Sequence, residues 1–176
     1  MAITINNLQI GFFRIAIILA LQILVIKNIQ LPWNAEGMAS FFLFPAAIIF
    51  IPSQISRPLT LFVAFICGLI IDMFYDTPGV AAGAMVIMAY IRPIAFSIIE
   101  PQLGVKIGQE SSSYQFGFIS LLIFASILQL VFCFFYYSFE YFSLYYIVDI
   151  MIRTVYSFIL SMLLVSVYIV IFRPKL

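Results

Sequence analysis

Long, almost uninterrupted apolar segments constrain the fold of this chain more than any other feature of its sequence. Residues 116–137, for example, contain no charged side chain at all. An apolar helix of about 20 residues matches the roughly 30 Å hydrocarbon core of a bilayer. The whole chain is 65% hydrophobic and only 9% charged, whereas soluble domains carry about 25% charged residues. The sequence therefore predicts an all-α integral membrane protein.

Six apolar segments divide the 176-residue chain and leave no room for a soluble domain. We predict one multi-pass domain, a compact bundle of about six transmembrane helices. The predicted spans are residues 12–26, 39–51, 59–75, 80–99, 116–137 and 146–172.

The second span is the shortest, and Pro45 interrupts it. About 13 helical residues reach only ~20 Å, less than the hydrocarbon thickness. This segment therefore either crosses with local thinning of the bilayer or is re-entrant.

The basic residues predict the orientation. Cytoplasmic loops of membrane proteins are enriched in Lys and Arg. With six spans and a cytoplasmic N-terminus, only Lys27 lies outside and Arg153 lies within a span. The remaining basic residues then lie on the inner side: Arg14, Arg57, Arg92, Lys106, Arg173 and Lys175. We therefore expect both termini in the cytoplasm.

The composition argues against several classes of function. A net charge of +1 without a run of basic residues offers no electrostatic surface for nucleic acid. The chain has no histidine, no G-x-S-x-G and no H-E-x-x-H, so neither a nucleophile–base pair nor a metal cluster is visible. We expect no enzyme activity, cofactor or metal. Cys67 and Cys133 both fall in apolar segments. They are interpreted either as buried, inert thiols or as a disulfide or redox pair.

Residues 68–93 place two aspartates, a Thr-Pro-Gly turn and an Arg-Pro pair in an otherwise apolar region. Asp72 and Asp76 are four residues apart and share one helix face. As a functional pair they would form a proton or cation site, or carboxylates for acid–base chemistry. As structural residues, Asp72 would be neutralised by Arg153 or by a helix end, and Asp76 would cap the turn. A contact between Asp72 and a partner protein is the third interpretation.

Two further pairs are candidates for structure or partner contact. Asp149 and Arg153, also four apart, predict an ion pair within the sixth segment, and Arg153 could also reach Asp72 across the bundle. Gly79 and Gly83 have the G-x-x-x-G spacing that lets membrane helices approach closely.

Other polar and aromatic residues have simpler interpretations. Arg92 precedes Pro93, which bends a helix, and the arginine is expected to extend to the lipid headgroups. Gln22 and Gln129 predict hydrogen bonds between helices. The tyrosines near the fifth-to-sixth connection fit an aromatic belt at the outer interface, or else a cage for a ligand: Tyr136, Tyr137, Tyr141, Tyr145 and Tyr146.

The motifs in residues 68–93 resemble a known family. Gly-Leu-x-x-Asp-x-x-x-Asp-Thr-x-Gly starts at Gly68, and Tyr-x-Arg-Pro starts at Tyr90. The first segment contributes Arg14, Leu21-Gln22-x-Leu-Val and Asn28-Ile29-x-Leu31, and the second contributes Phe44-Pro45 and Ile51-Pro52. Together these motifs resemble the rod shape-determining protein MreD family. Val80-Ala81-Ala82 departs from the family pattern, where a histidine is expected before the alanine, so no imidazole role transfers.

The resemblance implies a multi-pass protein of the bacterial inner membrane that acts as a non-catalytic scaffold of the cell-wall elongation machinery. The implied partners are MreC, the RodA glycosyltransferase with its class B penicillin-binding transpeptidase, indirectly the MreB filament, and membrane lipids. The implied fold is similar to the six-helix substrate-binding subunits of energy-coupling-factor vitamin transporters. Such a transporter subunit is the alternative function, and a binder of a lipid-linked precursor is a third.

Overall fold

A computed structural model describes residues 5–26, 40–51, 55–103 and 118–172. Most of these residues lie in α-helices or in one short 3-10 turn, and the described part of the chain contains no strand. The helices are α1 Ile5–Leu24, α2 Ala46–Ile49, α3 Arg57–Tyr75, α4 Val80–Leu103, α5 Phe118–Tyr141 and α6 Ile147–Phe172. The last four are long and apolar enough to cross a membrane, while the apolar part of α1 is shorter. An all-α, multi-pass membrane fold is thus confirmed.

Sequence-neighbouring helices pack against each other in the second half of the chain. α4 lies between α3 and α5, and α6 packs on α5. Each of these neighbouring pairs is antiparallel: the Phe96 and Phe124 rings meet 4.4 Å apart towards the end of α4 and the start of α5, and Tyr137 of α5 bonds to Ser157 of α6. We call the end of the bundle that holds residues 76–79, between α3 and α4, the turn end.

α1 and α3 run in the same direction. The side-chain amide nitrogen of Gln22, near the end of α1, donates to the Tyr75 hydroxyl at the end of α3 over 2.7 Å. Both helices therefore finish at the turn end. The chain that connects them has to return across the bundle before α3 can begin at Arg57.

Residues 40–51, which we call the core segment, make this return. The segment begins near the turn end, where the Leu43 amide donates to Gln22 over 2.8 Å. It finishes where the Ile51 carbonyl accepts from Arg92, twelve residues into α4 and so about 18 Å along that helix from its start. Its apolar side chains are buried except for the partly buried Phe41 and Phe50, and the Phe42 and Phe44 rings meet Phe132 of α5 at 5.4 and 5.0 Å.

The core segment is therefore not a membrane-length helix, unlike the predicted second span at residues 39–51. Only the four residues of α2 are helical, which is about 6 Å of helix. Proline explains the short length: Pro45 is the residue that precedes α2, and proline biases the residue before it away from helical geometry. Non-helical backbone is tolerated at membrane depth only where protein surrounds it, as it does here.

Candidate functional site

Asp72 joins the end of α3 to the beginning of α4. One carboxylate oxygen accepts from the Thr77 hydroxyl at 2.8 Å and from the Ala81 amide at 2.9 Å, and the other accepts from the Ala82 amide at 2.9 Å. The first amides of a helix lack partners within the helix, and its dipole favours a negative charge there. The buried Asp72 is therefore neutralised by a helix end, which was one of the interpretations of the sequence.

Gly68, one turn before Asp72, brings the two helices into close contact. A Cβ atom added to Gly68 would lie 2.3 Å from the Ala82 Cα and 2.7 Å from the Ala82 nitrogen. From the sequence, Gly68 was named only as the first residue of the family motif, and no role in helix packing was predicted for it. The sequence did contain a sign of this close contact. Gly68 lies among mostly large side chains and four residues before Asp72, and a small residue in a membrane helix often marks a close helix contact.

Asp76 and Gly79 shape the turn between α3 and α4. Asp76 ends α3 in the left-handed region with φ 56°, and its amide donates to the Asp72 carbonyl. Gly79 has φ +81°, a conformation that costs other residues energy. Both are exposed, while Asp72 is buried and directed at α4. The two aspartates thus have separate structural roles in the turn.

Gly79 and Gly83 do not form a shared packing face. An added Cβ at Gly79 would meet nothing within 4 Å, whereas one at Gly83 would lie 3.0 Å from the Phe139 ring of α5. Gly83 therefore makes room for α5, and Gly79 serves the turn. The G-x-x-x-G spacing predicted a common face, but Gly79 lies before the first residue of α4.

The turn is also connected to α5. Tyr136 forms a side-chain hydrogen bond with Thr77, which itself donates to Asp72. The Tyr136 ring lies 4.6 Å from the Phe42 ring of the core segment. Hydrogen bonds thus join the α3–α4 turn to α5, and a ring contact joins α5 to the start of the core segment.

Gln22 of α1 satisfies backbone groups of the core segment. Its amide nitrogen donates to the Phe41 carbonyl at 2.9 Å and its oxygen accepts from the Leu43 amide at 2.8 Å. Since Gln22 also donates to Tyr75, one fully buried side chain joins α1, α3 and the core segment. Gln22 was predicted to form hydrogen bonds between helices. It does so with Tyr75, and it also bonds to the non-helical backbone of the core segment.

α5 and α6 supply the remaining hydrogen bonds to the first residues of the core segment. The Ser40 amide donates to the Ser157 hydroxyl and the Phe42 amide donates to the Ser161 hydroxyl, each over 2.9 Å. Gln129 donates to the Phe42 carbonyl over 3.2 Å, but its own side-chain oxygen is buried without a partner.

Arg92 lies at the other end of the core segment, inside the bundle. Its guanidinium donates to the Ile51 carbonyl, and its central carbon lies 5.2 Å from the Phe96 ring centroid. The side chain is 6% exposed, and its Nε has no hydrogen-bond partner. The expectation that Arg92 extends to the headgroups is therefore wrong: it donates to a backbone carbonyl just beyond the end of the short α2.

Arg153 lies on α6 near the turn end. Its guanidinium carbon is 5.4 Å from the Tyr141 ring centroid, and it interacts electrostatically with Glu140. Asp149, one turn earlier on α6, is exposed. The Asp72 oxygens accept from Thr77 and from the start of α4, and the predicted reach of Arg153 across the bundle is not among these contacts.

Four of the five tyrosines of the predicted aromatic belt fall into two groups, and the fifth, Tyr141, is partly buried. Tyr136 and Tyr137 are buried and bond to Thr77 and Ser157. Tyr145 is 87% exposed, Tyr146 is also exposed, and their ring centroids lie 5.3 Å apart. Only the second group has the exposure that a belt at the membrane interface requires.

The polar side chains inside the bundle hold the core segment of the same chain in place. Among the residues that the structure describes, no group of three acidic, histidine or cysteine side chains could hold a metal ion. Cys67 and Cys133 are buried and are not joined in a disulfide. The centre of the bundle is filled by the core segment and by the rings that pack on it. Comparison with protein-family models, with curated proteins and with solved structures finds no match for this chain.

Proposed function

We propose that this chain is a non-catalytic membrane scaffold of the bacterial cell-wall elongation machinery. In this role it binds MreC and holds the RodA glycosyltransferase and its class B penicillin-binding transpeptidase together, with an indirect connection to MreB. The turn end faces outward, and both termini lie in the cytoplasm. The proposal rests first on the resemblance of residues 68–93 and of the first two segments to the MreD family.

The observation that carries the proposal is the occupied centre of the bundle. A small-molecule site needs a concave pocket with a few convergent polar groups. Here the convergent polar side chains are directed at backbone of the same chain: Gln22, Arg92, Gln129, Ser157 and Ser161. This use of polar groups favours a scaffold over the alternative, a substrate-binding subunit of an energy-coupling-factor transporter.

The parallel arrangement of α1 and α3 supports the proposed topology. With the core segment as the second crossing, the described chain traverses the bundle six times, and α1 begins at the same end at which α6 finishes. This agrees with the distribution of Lys and Arg, which favours both termini on the cytoplasmic side. The topology is tested by attaching a reporter that is active only in the cytoplasm to either terminus.

The function is tested by affinity capture of the tagged chain from native membranes in mild detergent, followed by mass spectrometry. We expect MreC and the RodA–transpeptidase pair, enriched over capture with an unrelated multi-pass protein carrying the same tag. Depletion of the chain should turn rod-shaped cells round. Recovery of ABC-type ATPases and their coupling subunit instead would replace the scaffold with the transporter alternative.

A further inference from the structure

Phe142 has a backbone conformation that is unfavourable for phenylalanine. It follows Tyr141, the last residue of α5, with φ 44°, and its amide donates to the Ser138 carbonyl over 3.1 Å. Glycine usually ends a helix in this left-handed way, because a Cβ atom raises the energy of the conformation. Among the residues that the structure describes, Asp76 is the other non-glycine residue with a positive φ, and aspartate tolerates it. Phe142 is therefore the strained residue of the two.

Packing within the described chain does not compensate for this strain, because the Phe142 side chain is 87% exposed. Tyr145, three residues later, is equally exposed, and its ring centroid lies 5.3 Å from that of Tyr146. We call Phe142, Tyr145 and Tyr146 the connection patch, since they connect α5 to α6 at the turn end. A strained residue that the fold does not use for packing indicates a contact outside the chain.

Two carboxylates show that the connection patch lies outside the hydrocarbon of the bilayer. Glu140 near the end of α5 and Asp149 near the start of α6 are both exposed. An exposed carboxylate is costly in hydrocarbon, so the two helices leave that region at or before these residues. Phe142 and Tyr145 lie between them in the chain, and acyl chains therefore do not surround the two rings. Large rings that face water are unfavourable until another surface covers them.

The charges beside the connection patch restrict which surface can cover it. Asp149 is exposed, and Glu140 lies close enough to Arg153 for an electrostatic interaction. A second copy of the chain would bring the same two carboxylates against these, and like charges oppose association. A complementary surface instead carries an apolar pocket for the rings, with Lys or Arg side chains around it.

We propose that the connection patch binds an extramembrane domain of a partner protein, on the side of the membrane at which the turn end lies. The partner supplies an apolar pocket for the Phe142 ring and basic side chains near Glu140 and Asp149. Aromatic side chains are enriched among the anchors of protein interfaces, and burial of the ring offsets the cost of its backbone conformation. The inference rests on the geometry of this connection and not on the proposed cellular function, so either can fail without the other.

The contact is tested with a photoreactive analogue, benzoylphenylalanine, incorporated at position 142 of the full chain in native membranes. Position 78 is the matched control, because Pro78 is exposed in the α3–α4 turn at the same end of the bundle. We expect light to attach position 142, but not position 78, to an extramembrane segment of one other protein, with Lys or Arg close to the site of attachment. Attachment to lipid, to a second copy or to another part of the same chain would overturn the proposal, as would no attachment.

Phe142→Gly separates the contact from the fold. Glycine relieves the left-handed strain, so the melting temperature of the variant should rise. Recovery of the protein attached at position 142 should fall about tenfold, as for a central aromatic anchor. Phe142→Leu is the control: it keeps an apolar side chain and the strain, and should keep the wild-type melting temperature and part of the binding. A Phe142→Gly variant that recovers this protein at the wild-type level would overturn the proposal.

Discussion

The backbone of Ala82 lies against Gly68 with no space for a side chain between them. A Cβ atom on Gly68 would come within 2.3 Å of the Ala82 Cα, which is closer than any non-bonded carbon contact allows. One turn further along α3, Asp72 binds the amides of Ala81 and Ala82. The close approach and the carboxylate cap therefore act on the same two residues and together fix how α3 and α4 meet.

Gly68→Ala is expected to destabilise the folded protein by about 3 kcal/mol, because overpacking against backbone leaves little room for relaxation. Gly83→Ala is the matched control. Its new Cβ would lie 3.0 Å from the Phe139 side chain, which can rotate away, so we expect a smaller loss. Reversible unfolding of the purified variants in SDS measures both. Equal losses would indicate that α3 and α4 can separate at little cost.

Asp72→Ala should cost about 2–4 kcal/mol, since it leaves the buried amides of Ala81 and Ala82 without acceptors. Asp72→Asn keeps one acceptor oxygen and should cost less. Asp76→Asn should have almost no effect, because Asp76 is exposed and asparagine tolerates its left-handed backbone. The level of folded protein in membranes and its melting temperature measure the relative stability of the three variants. If Asp72→Ala kept wild-type stability but lost its partners, Asp72 would be a contact residue.

The sequence was sufficient for the long helices but not for the core segment. Hydrophobic runs predicted α3 and α4 because an apolar stretch of membrane length has few alternatives to a helix. The same reasoning predicted a second helix at residues 39–51. The conformation of residues 40–51 instead depends on hydrogen-bond donors and acceptors more than 80 residues away, such as Gln129 and Ser161. No local pattern contains that information.

The candidate residues show the same division between local and distant information. Asp76 and Gly79 could be assigned to a turn, because Asp-Thr-Pro-Gly is local turn chemistry. The interpretation of Asp72 was left open between Arg153, a helix end and a partner, since its acceptor role depends on how closely α4 approaches. The direction of Arg92 was predicted wrongly, because the Ile51 carbonyl comes within reach of Arg92 only once the core segment is folded.

Gln22→Leu should loosen the start of the core segment. It removes three hydrogen bonds, together about 2 kcal/mol at the average measured within membranes. Hydrogen exchange at residues 41–43 should rise accordingly. Gln129→Leu is the control on the same segment. It removes one longer bond to the Phe42 carbonyl and a weak one to the Cys133 sulfur, together with a buried oxygen that has no partner, so we expect stability close to the wild type. A larger effect from Gln129→Leu would reverse this ranking of the two glutamines.

Arg92→Met should free the other end of the core segment while making α4 easier to insert. Arginine at a helix centre costs roughly 2.5–3.5 kcal/mol on insertion scales, and methionine avoids that cost. The Ile51 carbonyl, however, would lose its donor. We expect a thiol introduced by Ile51→Cys to react faster with a membrane-permeant maleimide in the Arg92→Met background. Arg57→Met, at an exposed position, should leave the rate unchanged, and equal rates in both backgrounds would exclude an anchoring role for Arg92.

The core segment also determines the order in which this protein can be assembled. A transmembrane helix satisfies its own backbone and can enter the bilayer as soon as it is synthesised, but residues 40–51 need groups from α4, α5 and α6. Ser40 binds Ser157, which the ribosome adds 117 residues later. The second crossing therefore closes only after α6 has been made. Until then, residues 40–51 lack partners for part of their backbone and are expected to be open to chaperones and membrane proteases.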